Sequence, residues 1–245
     1  NYATPVGLIG GEPYRIMELT PYVGASKATS SVILYVMMHI FSHFCFWFFS
    51  IFLYLALRPV DIAMGTILAV VGAVSLLAIY FFMKGYKNGM AVRTLKLLQH
   101  IPFIKEWAKR FSENKREALE RVDSQIAELH KQRRSTFYAS LSLEFMARII
   151  GCLEVYFILN ILTTDVSFPA CILIMAFTSL FANLFFFSPM QLGAREGGFA
   201  LAVGGLAIPG AFGVYTGLIT RVRELIWIVI GVLLMKVGNG TPANK

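Results

Sequence analysis

Long apolar runs alternate with short polar turns along most of this chain. Val32 to Leu57 is one apolar run, closed by Arg58-Pro59, and Val60 to Met83 is the next. Phe137 to Leu162 and Phe168 to Phe187 form another pair, divided by the polar turn Thr163-Thr164-Asp165. A helix rises 1.5 Å per residue, so about 20 apolar residues cross a bilayer. Each run therefore predicts a transmembrane helix. The pattern as a whole predicts an all-α fold: a polytopic transmembrane helical bundle, with residues 1–245 as a single transmembrane domain.

Regularity fails in two places. Residues 1–28 are interrupted by Pro5, Gly7, Gly10, Gly11, Pro13, Pro21 and Gly24 and carry Glu12, Arg15, Glu18 and Lys27. That stretch is too polar and too broken to span; a broken or re-entrant segment lining a protein-buried cavity fits better than the alternative, a plain juxtamembrane loop. It also opens within a motif, as a fragment lacking N-terminal helices would. The second place begins at Ser188-Pro189 and continues through Gly193, Arg195-Glu196, Gly197-Gly198, Gly204-Gly205 and Pro209-Gly210. A final helix from about Ala211 to Met235 follows, with Arg221, Arg223 and Glu224 near its middle. Either that helix spans with charges at mid-depth, or Phe199 to Ile219 is a re-entrant hairpin.

Charge sharpens this picture. The chain carries a formal +8, and residues 84–134 hold 13 Lys/Arg against 6 Asp/Glu, a net +7. Basic residues concentrated in one loop between spans follow the positive-inside bias and predict that this loop is cytoplasmic. With membrane spans on both sides, anionic lipid headgroups are the expected partner, and nucleic acid is not. Within the loop, Leu119, Val122, Ile126 and Leu129 predict an amphipathic helix, and a second apolar stripe runs from Leu95 to Phe111.

Composition excludes a soluble domain. The chain is 57% hydrophobic and 15% charged with a mean hydropathy of +0.66, whereas soluble domains carry roughly 25% charged residues. Cys45, Cys152 and Cys171 lie in apolar runs without metal or redox spacing and read as small buried hydrophobes. His39 and His43 stand i,i+4 on the first span, a spacing that suits a metal, but no third ligand lies nearby and interhelical hydrogen bonding is the better expectation. Gly213 and Gly217 fit a close helix–helix contact. No Ser/His/Asp set, phosphate loop or dinucleotide fingerprint is present. Neither an enzyme nor a cofactor is expected.

Charges inside apolar helices are costly, about 2.5–3.5 kcal/mol each on insertion scales, and so need explanation. Glu144 and Arg148 lie i,i+4 on the third span and can neutralise each other. Glu154 lies further along, on another face. Arg195-Glu196 sits in the second break, with Arg221 and Glu224 in the last helix. Two readings remain open: internal ion pairs that fix packing, or a polar cavity that accepts a charged headgroup. Arg suits phosphate, and broken helices expose N-termini that hold anions.

The stretch Pro189, Gly193, Arg195-Glu196, with Gly210 and Arg221 after it, resembles the transmembrane, flippase-like domain of the lysylphosphatidylglycerol synthase family. Pro5 followed by Gly11-Glu12-Pro13-Tyr14-Arg15 resembles that family's Gly-Glu-x-x-Arg element. The resemblance covers nearly the whole chain. It implies a standalone bacterial inner-membrane protein that moves a lipid with an anionic or charged headgroup between leaflets. The synthase domain is not expected after Lys236. Polyprenyl-phosphate-linked glycans, hopanoids and aminoacylated phospholipids are the candidate cargoes. In this reading Glu12, Arg15, Arg195, Glu196 and Arg221 line the substrate cavity, while Glu144, Arg148, Pro189, Gly193 and Glu224 support it. Setting Glu12 against Glu196 suggests an internal repeat in which Met37 stands where Arg221 does. A homo-oligomer is compatible with all of this. The rivals are a membrane scaffold for an envelope lipid- or glycan-modifying system, and a cation channel or proton-coupled carrier built on Glu144, Glu154 and the histidines.

Overall fold

The computed structural model of the chain describes residues 11–88, 124, 134–163, 166–185 and 191–238. Among these the elements are α1 (Gly11–Val23), α2 (Ala25–Leu57), α3 (Ile62–Asn88), α4 (Arg134–Leu162), α5 (Phe168–Leu184), α6 (Ala194–Gly204) and α7 (Gly210–Gly238), with no strand. The apolar seams expected between Leu95 and Leu129, and Pro5 and Pro189, lie outside the described residues. Packing divides the described chain at Ile149/Ile150 into two compact units, and α4 contributes its first half to one and its second half to the other.

In the unit from Glu12 to Ile149, α1 begins with Glu12 in its first turn, where the positive end of the helix dipole favours a carboxylate. It ends at Gly24, whose φ of +84° is a conformation that glycine adopts without steric cost. The long helix α2 starts at Ala25, earlier than the expected Val32. The polar residues before Val32 do not stop it because their hydroxyls bond within the helix, Thr29 Oγ1 to the Ala25 carbonyl (2.8 Å) and Ser30 Oγ to the Ser26 carbonyl (2.6 Å). It stops where expected: Arg58 is extended (φ −136°, ψ 142°), as a residue before proline must be. Asp61 then opens α3 by accepting the Met64 N–H at 2.8 Å. An apolar cluster of Met38, Phe41, Phe82 and Phe137 joins α2, α3 and α4, with Phe41 and Phe82 stacked 4.1 Å apart. Outside it, α3 exposes Ile67, Val70, Val74, Leu77 and Phe81, an apolar face suited to lipid rather than water.

The other unit is organised by Val155 and Leu159 of α4, Cys171 and Ile174 of α5, and Phe199 and Val203 of α6. The turn between α4 and α5 is held by one side chain. The Asn160 amide donates to the Tyr156 and Val166 carbonyls (2.9 and 3.0 Å) and accepts the Val166 N–H (3.3 Å). The fourth apolar run is shorter as a helix than the expected Phe168 to Phe187: α5 has 17 residues and is capped at Phe185 (φ −98°, ψ 34°). Pro189 explains this, since it has no N–H to bond the Phe185 carbonyl and its ring disfavours a helix through the preceding turn.

Three described helices, Ala25–Leu57, Ile62–Lys84 and Ser135–Leu162, are long and apolar enough to cross a membrane. The 17 residues of α5 reach about 26 Å and the 11 of α6 about 16 Å, against a hydrocarbon core of about 30 Å. With 29 residues, α7 has ample length but carries Arg221, Arg223 and Glu224 at its centre. The cysteines are free; Cys152 and Cys171 are fully buried as expected, while Cys45 is only half-buried at the edge of the α2–α3–α4 cluster.

Candidate functional site

The second break is a helical hairpin. Gly193, with φ +78° and ψ −37°, caps α6, and its N–H donates to Glu196 Oε2 at 2.9 Å. Glu196 thus occupies the N-terminal turn of α6, where both the free amides and the dipole favour it. At the far end, Ile208 N–H bonds back to the Val203 carbonyl (3.1 Å) and Ala207 takes a left-handed φ of 61°, the geometry of a Schellman cap. The chain then returns as α7.

The two helices approach closely because α7 presents glycines. A β-carbon at Gly213 would lie 2.5 Å from the Phe199 carbonyl oxygen and 2.6 Å from the Ala200 nitrogen. One at Gly217 would lie 3.2 Å from the Glu196 Cα. The expected small-residue contact is therefore real, and it is made within the chain. On its other side α6 packs on α5, where a β-carbon at Gly198 would lie 3.4 Å from the Thr178 Cα.

This register carries the charges. One turn beyond Gly217, the Arg221 guanidinium bonds Glu196 and also donates from Nη2 to the Gln191 carbonyl at 2.9 Å. Further along, Glu224 receives a hydrogen bond from Arg195 Nη1. Glu224 is buried, and the Arg195, Glu196 and Arg221 side chains retain less than a fifth of their exposure. Residues 221 and 223 stand about 200° apart around the helix, so Arg223 faces away from Glu196 and meets Glu154 of α4. Among the described side chains this unit holds three arginines and three glutamates, with 195 bonded to 224, 221 to 196 and 223 to 154, while Arg223 Nη2 also lies 3.9 Å from Glu224.

The sequence singled out four of these six as site residues; Glu154 and Arg223 complete the set. Their spacing relative to Arg221 and Glu144 carries the only local signal, that they face elsewhere, and the partner they meet is not legible from it.

Glu12, Arg15, Glu144 and Arg148 belong to the other unit. There Arg15 of α1 lies over the Tyr35 ring of α2, 4.9 Å from its centroid. Arg148 of α4 reaches α2, donating from Nε to Ser42 Oγ (2.7 Å) and from Nη2 to the His39 carbonyl (2.9 Å). Glu144 lies 3.4 Å from His39 Nδ1. The hydrogen bonds of the Glu144/Arg148 pair are thus made across to α2, in addition to any neutralisation along α4. His39 does bond between helices, as expected, while His43 Nδ1 has no hydrogen-bond partner among the described residues. No group of three His, Cys, Asp or Glu side chains placed to hold a metal occurs among those residues.

Each unit contains the same local sequence of elements: a short helix with a glutamate in its first turn, a break, and a long helix, α1–α2 with Glu12 and α6–α7 with Glu196.

No curated protein and no solved structure matches the chain. The family described as the lysylphosphatidylglycerol synthase TM region matches residues 1–231. With three described helices of crossing length, the chain is a multi-pass α-helical membrane protein that belongs to the lysylphosphatidylglycerol synthase TM region family.

Proposed function

We propose that this protein is a flippase-like carrier that moves a lipid with an anionic or charged headgroup between the leaflets of the bacterial inner membrane, with the basic loop 84–134 on the cytoplasmic side. The observation that carries this reading is the α6–α7 hairpin, which holds Arg195, Glu196, Arg221 and Glu224 together among apolar helices. Ionisable groups are maintained in such an environment at a cost, and helix breaks beside them are where membrane carriers hold charged cargo.

The two arginines are not equivalent. Arg221 is held by Glu196 and by the Gln191 carbonyl. Arg195 donates from Nη1 to Glu224, and among the described residues its remaining N–H groups have no partner. An arginine has five N–H donors in a fork that matches phosphate oxygens. Arg195 is therefore the group that would meet a headgroup phosphate, with Arg221 holding the hairpin in register. An anion bonded to those remaining N–H groups would compete with Glu224 for the charge of Arg195, which would link binding to the hairpin. Glu12 and Arg15 would serve in the corresponding short-helix position of the other unit, and Glu144 and Arg148 would support it.

The test is a leaflet assay on the full-length protein in liposomes, with labelled anionic phospholipid and polyprenyl-phosphate lipids. Movement that is lost in Arg195→Ala, from protein of unchanged helicity, supports the reading. An unchanged leaflet distribution in that variant sinks the role of Arg195, and no movement of any lipid by folded wild type sinks the carrier.

A further inference from the structure

The α2–α4 charges have a geometry unlike that of the hairpin. His39 Nδ1 lies 3.4 Å from Glu144 Oε2 and also 3.4 Å from Arg148 Nη2. A carboxylate only accepts hydrogen bonds and a guanidinium only donates them. One nitrogen thus faces two partners that it can never satisfy in the same protonation state. With the neutral ring's hydrogen on Nε2, bare Nδ1 accepts from Arg148; taking a second proton at Nδ1 makes the ring cationic and turns that nitrogen into a donor to Glu144.

The surrounding bonds determine which part moves. Arg148 is anchored to α2 by Nε to Ser42 Oγ (2.7 Å) and Nη2 to the His39 carbonyl (2.9 Å), and Ser42 itself donates to that carbonyl at 2.8 Å. The guanidinium therefore stays, and the proton is the mobile element. The His39 side chain keeps 47% of its exposure, so it is not sealed inside the α2–α4 packing. Residue 39 lies near the middle of α2, and 144 and 148 near the middle of α4, two of the helices long and apolar enough to span. At such a position an ionisable group is retained for a function by default.

From these contacts we infer that His39, Glu144 and Arg148 form a proton-binding site within the membrane-spanning helices, with His39 Nδ1 as the atom that takes the proton. The other charged and titratable groups around it are these. On α2, Tyr35 stacks on His39 (centroids 6.1 Å apart) and His43 meets it edge-on (5.3 Å). From α1 comes Arg15, over Tyr35. From α3, which packs on α2 through Phe82, the titratable side chains described are Tyr80 and Lys84, and these bond each other at 3.4 Å. His43, one turn along α2, has a buried Nδ1 without a hydrogen-bond partner among the described residues. Proton and charge balance without any further reactant: the proton comes from water on one side, adds one positive charge to a neutral Arg–Glu–His set, and returns to water. Combined with the carrier function, on which this last step rests, a proton bound at His39 offsets the negative charge of an anionic headgroup and lets a proton gradient drive the lipid.

The site is tested apart from lipid movement by histidine nitrogen NMR of the full-length protein in lipid nanodiscs. Between about pH 5 and 8, where histidines ordinarily change charge, the His39 Nδ1 signal should move from bare to protonated as pH falls. At a fixed pH of about 6, Glu144→Gln should reduce the protonated fraction several-fold and Arg148→Gln should raise it. Should Arg148→Gln fail to fold, Glu144→Gln and the wild-type titration decide alone. A His39 signal that stays constant over that range, or that Glu144→Gln leaves unchanged, overturns the site. Coupling is read in liposomes: His39→Gln should abolish acceleration by a pH gradient while lipid exchange down its own gradient persists. Wild-type lipid movement indifferent to the pH gradient overturns the coupling and leaves the carrier standing; no lipid movement at all removes the carrier and the coupling together, with the titration still deciding the site.

Discussion

Gly217 of α7 rests against Glu196 of α6 so closely that a β-carbon at 217 would lie 3.1 Å from the Glu196 Cγ. That contact sets the register of the hairpin. One turn further along α7, Arg221 arrives at the Glu196 carboxylate, and Glu224 arrives at Arg195. The absence of a side chain at one position thus decides which charges meet at two others.

Gly213→Ala should loosen the hairpin, because its β-carbon would meet backbone atoms of Phe199 and Ala200 at 2.5–2.6 Å, and backbone cannot move aside as a flexible side chain can. Overpacking of this kind costs about 1–3 kcal/mol. Gly231→Ala, where a β-carbon meets nothing within 4 Å, is the control and should be neutral or mildly stabilising. Denaturation in detergent micelles, followed by helicity, distinguishes the two; equal effects would contradict the close approach.

Arg221→Ala and Arg195→Ala should separate stability from transport. Removing Arg221 leaves Glu196, 14% exposed, without its guanidinium, and breaking a buried pair from one side costs about 3 kcal/mol or more. Loss of Arg195 should abolish lipid movement with a smaller effect on unfolding, because Glu224, 8% exposed, still has Arg223 Nη2 at 3.9 Å. Arg223→Ala, at a pair that is 47% and 27% exposed, should cost about 1 kcal/mol or less. An Arg221→Ala protein as stable as wild type would refute its assigned role.

Asn160→Ala should destabilise the α4–α5 turn by about 1–3 kcal/mol, since the Val166 N–H and carbonyl both bond that one amide. Hydrogen exchange at Val166 is the direct readout. Protection unchanged from wild type would show that the amide does not hold the turn.

Ala207→Gly should be neutral or stabilising by up to about 1 kcal/mol, because residue 207 holds a φ of 61° that costs an L-residue with a β-carbon about that much. Thermal unfolding of the purified protein reads it, and a clear loss of stability would contradict the cap geometry.

Much of the fold was legible because it depends on local rules. Apolar runs of sufficient length gave the helices of residues 25–57, 62–88 and 134–162, and Pro59 and Pro209 marked breaks through missing amides and steric conflict. Gly24 and Gly193 took the left-handed geometry that breaks need, yet the turn after α6 places that geometry on Ala207 and not on Gly204 or Gly205. Several helix ends differ from expectation, and two of them have identifiable local reasons. Hydroxyls that bond back to their own helix let α2 begin at Ala25, and the deficit created by Pro189 is felt as early as Phe185.

The site divides along the same physical line. By itself the sequence determined that charges lie inside apolar helices and that Arg195-Glu196 opens a helix after a break, since hydropathy and backbone chemistry act over a few neighbouring residues. Only the tertiary structure decided that Arg221 meets Glu196, Arg195 meets Glu224, Arg223 meets Glu154, and His39 stands between Glu144 and Arg148. An ion pair between helices depends on the rotation and register of both, which are set by packing such as that of Gly213 and Gly217 on α6, and a shift of one residue turns a side chain by about 100° to a different neighbour.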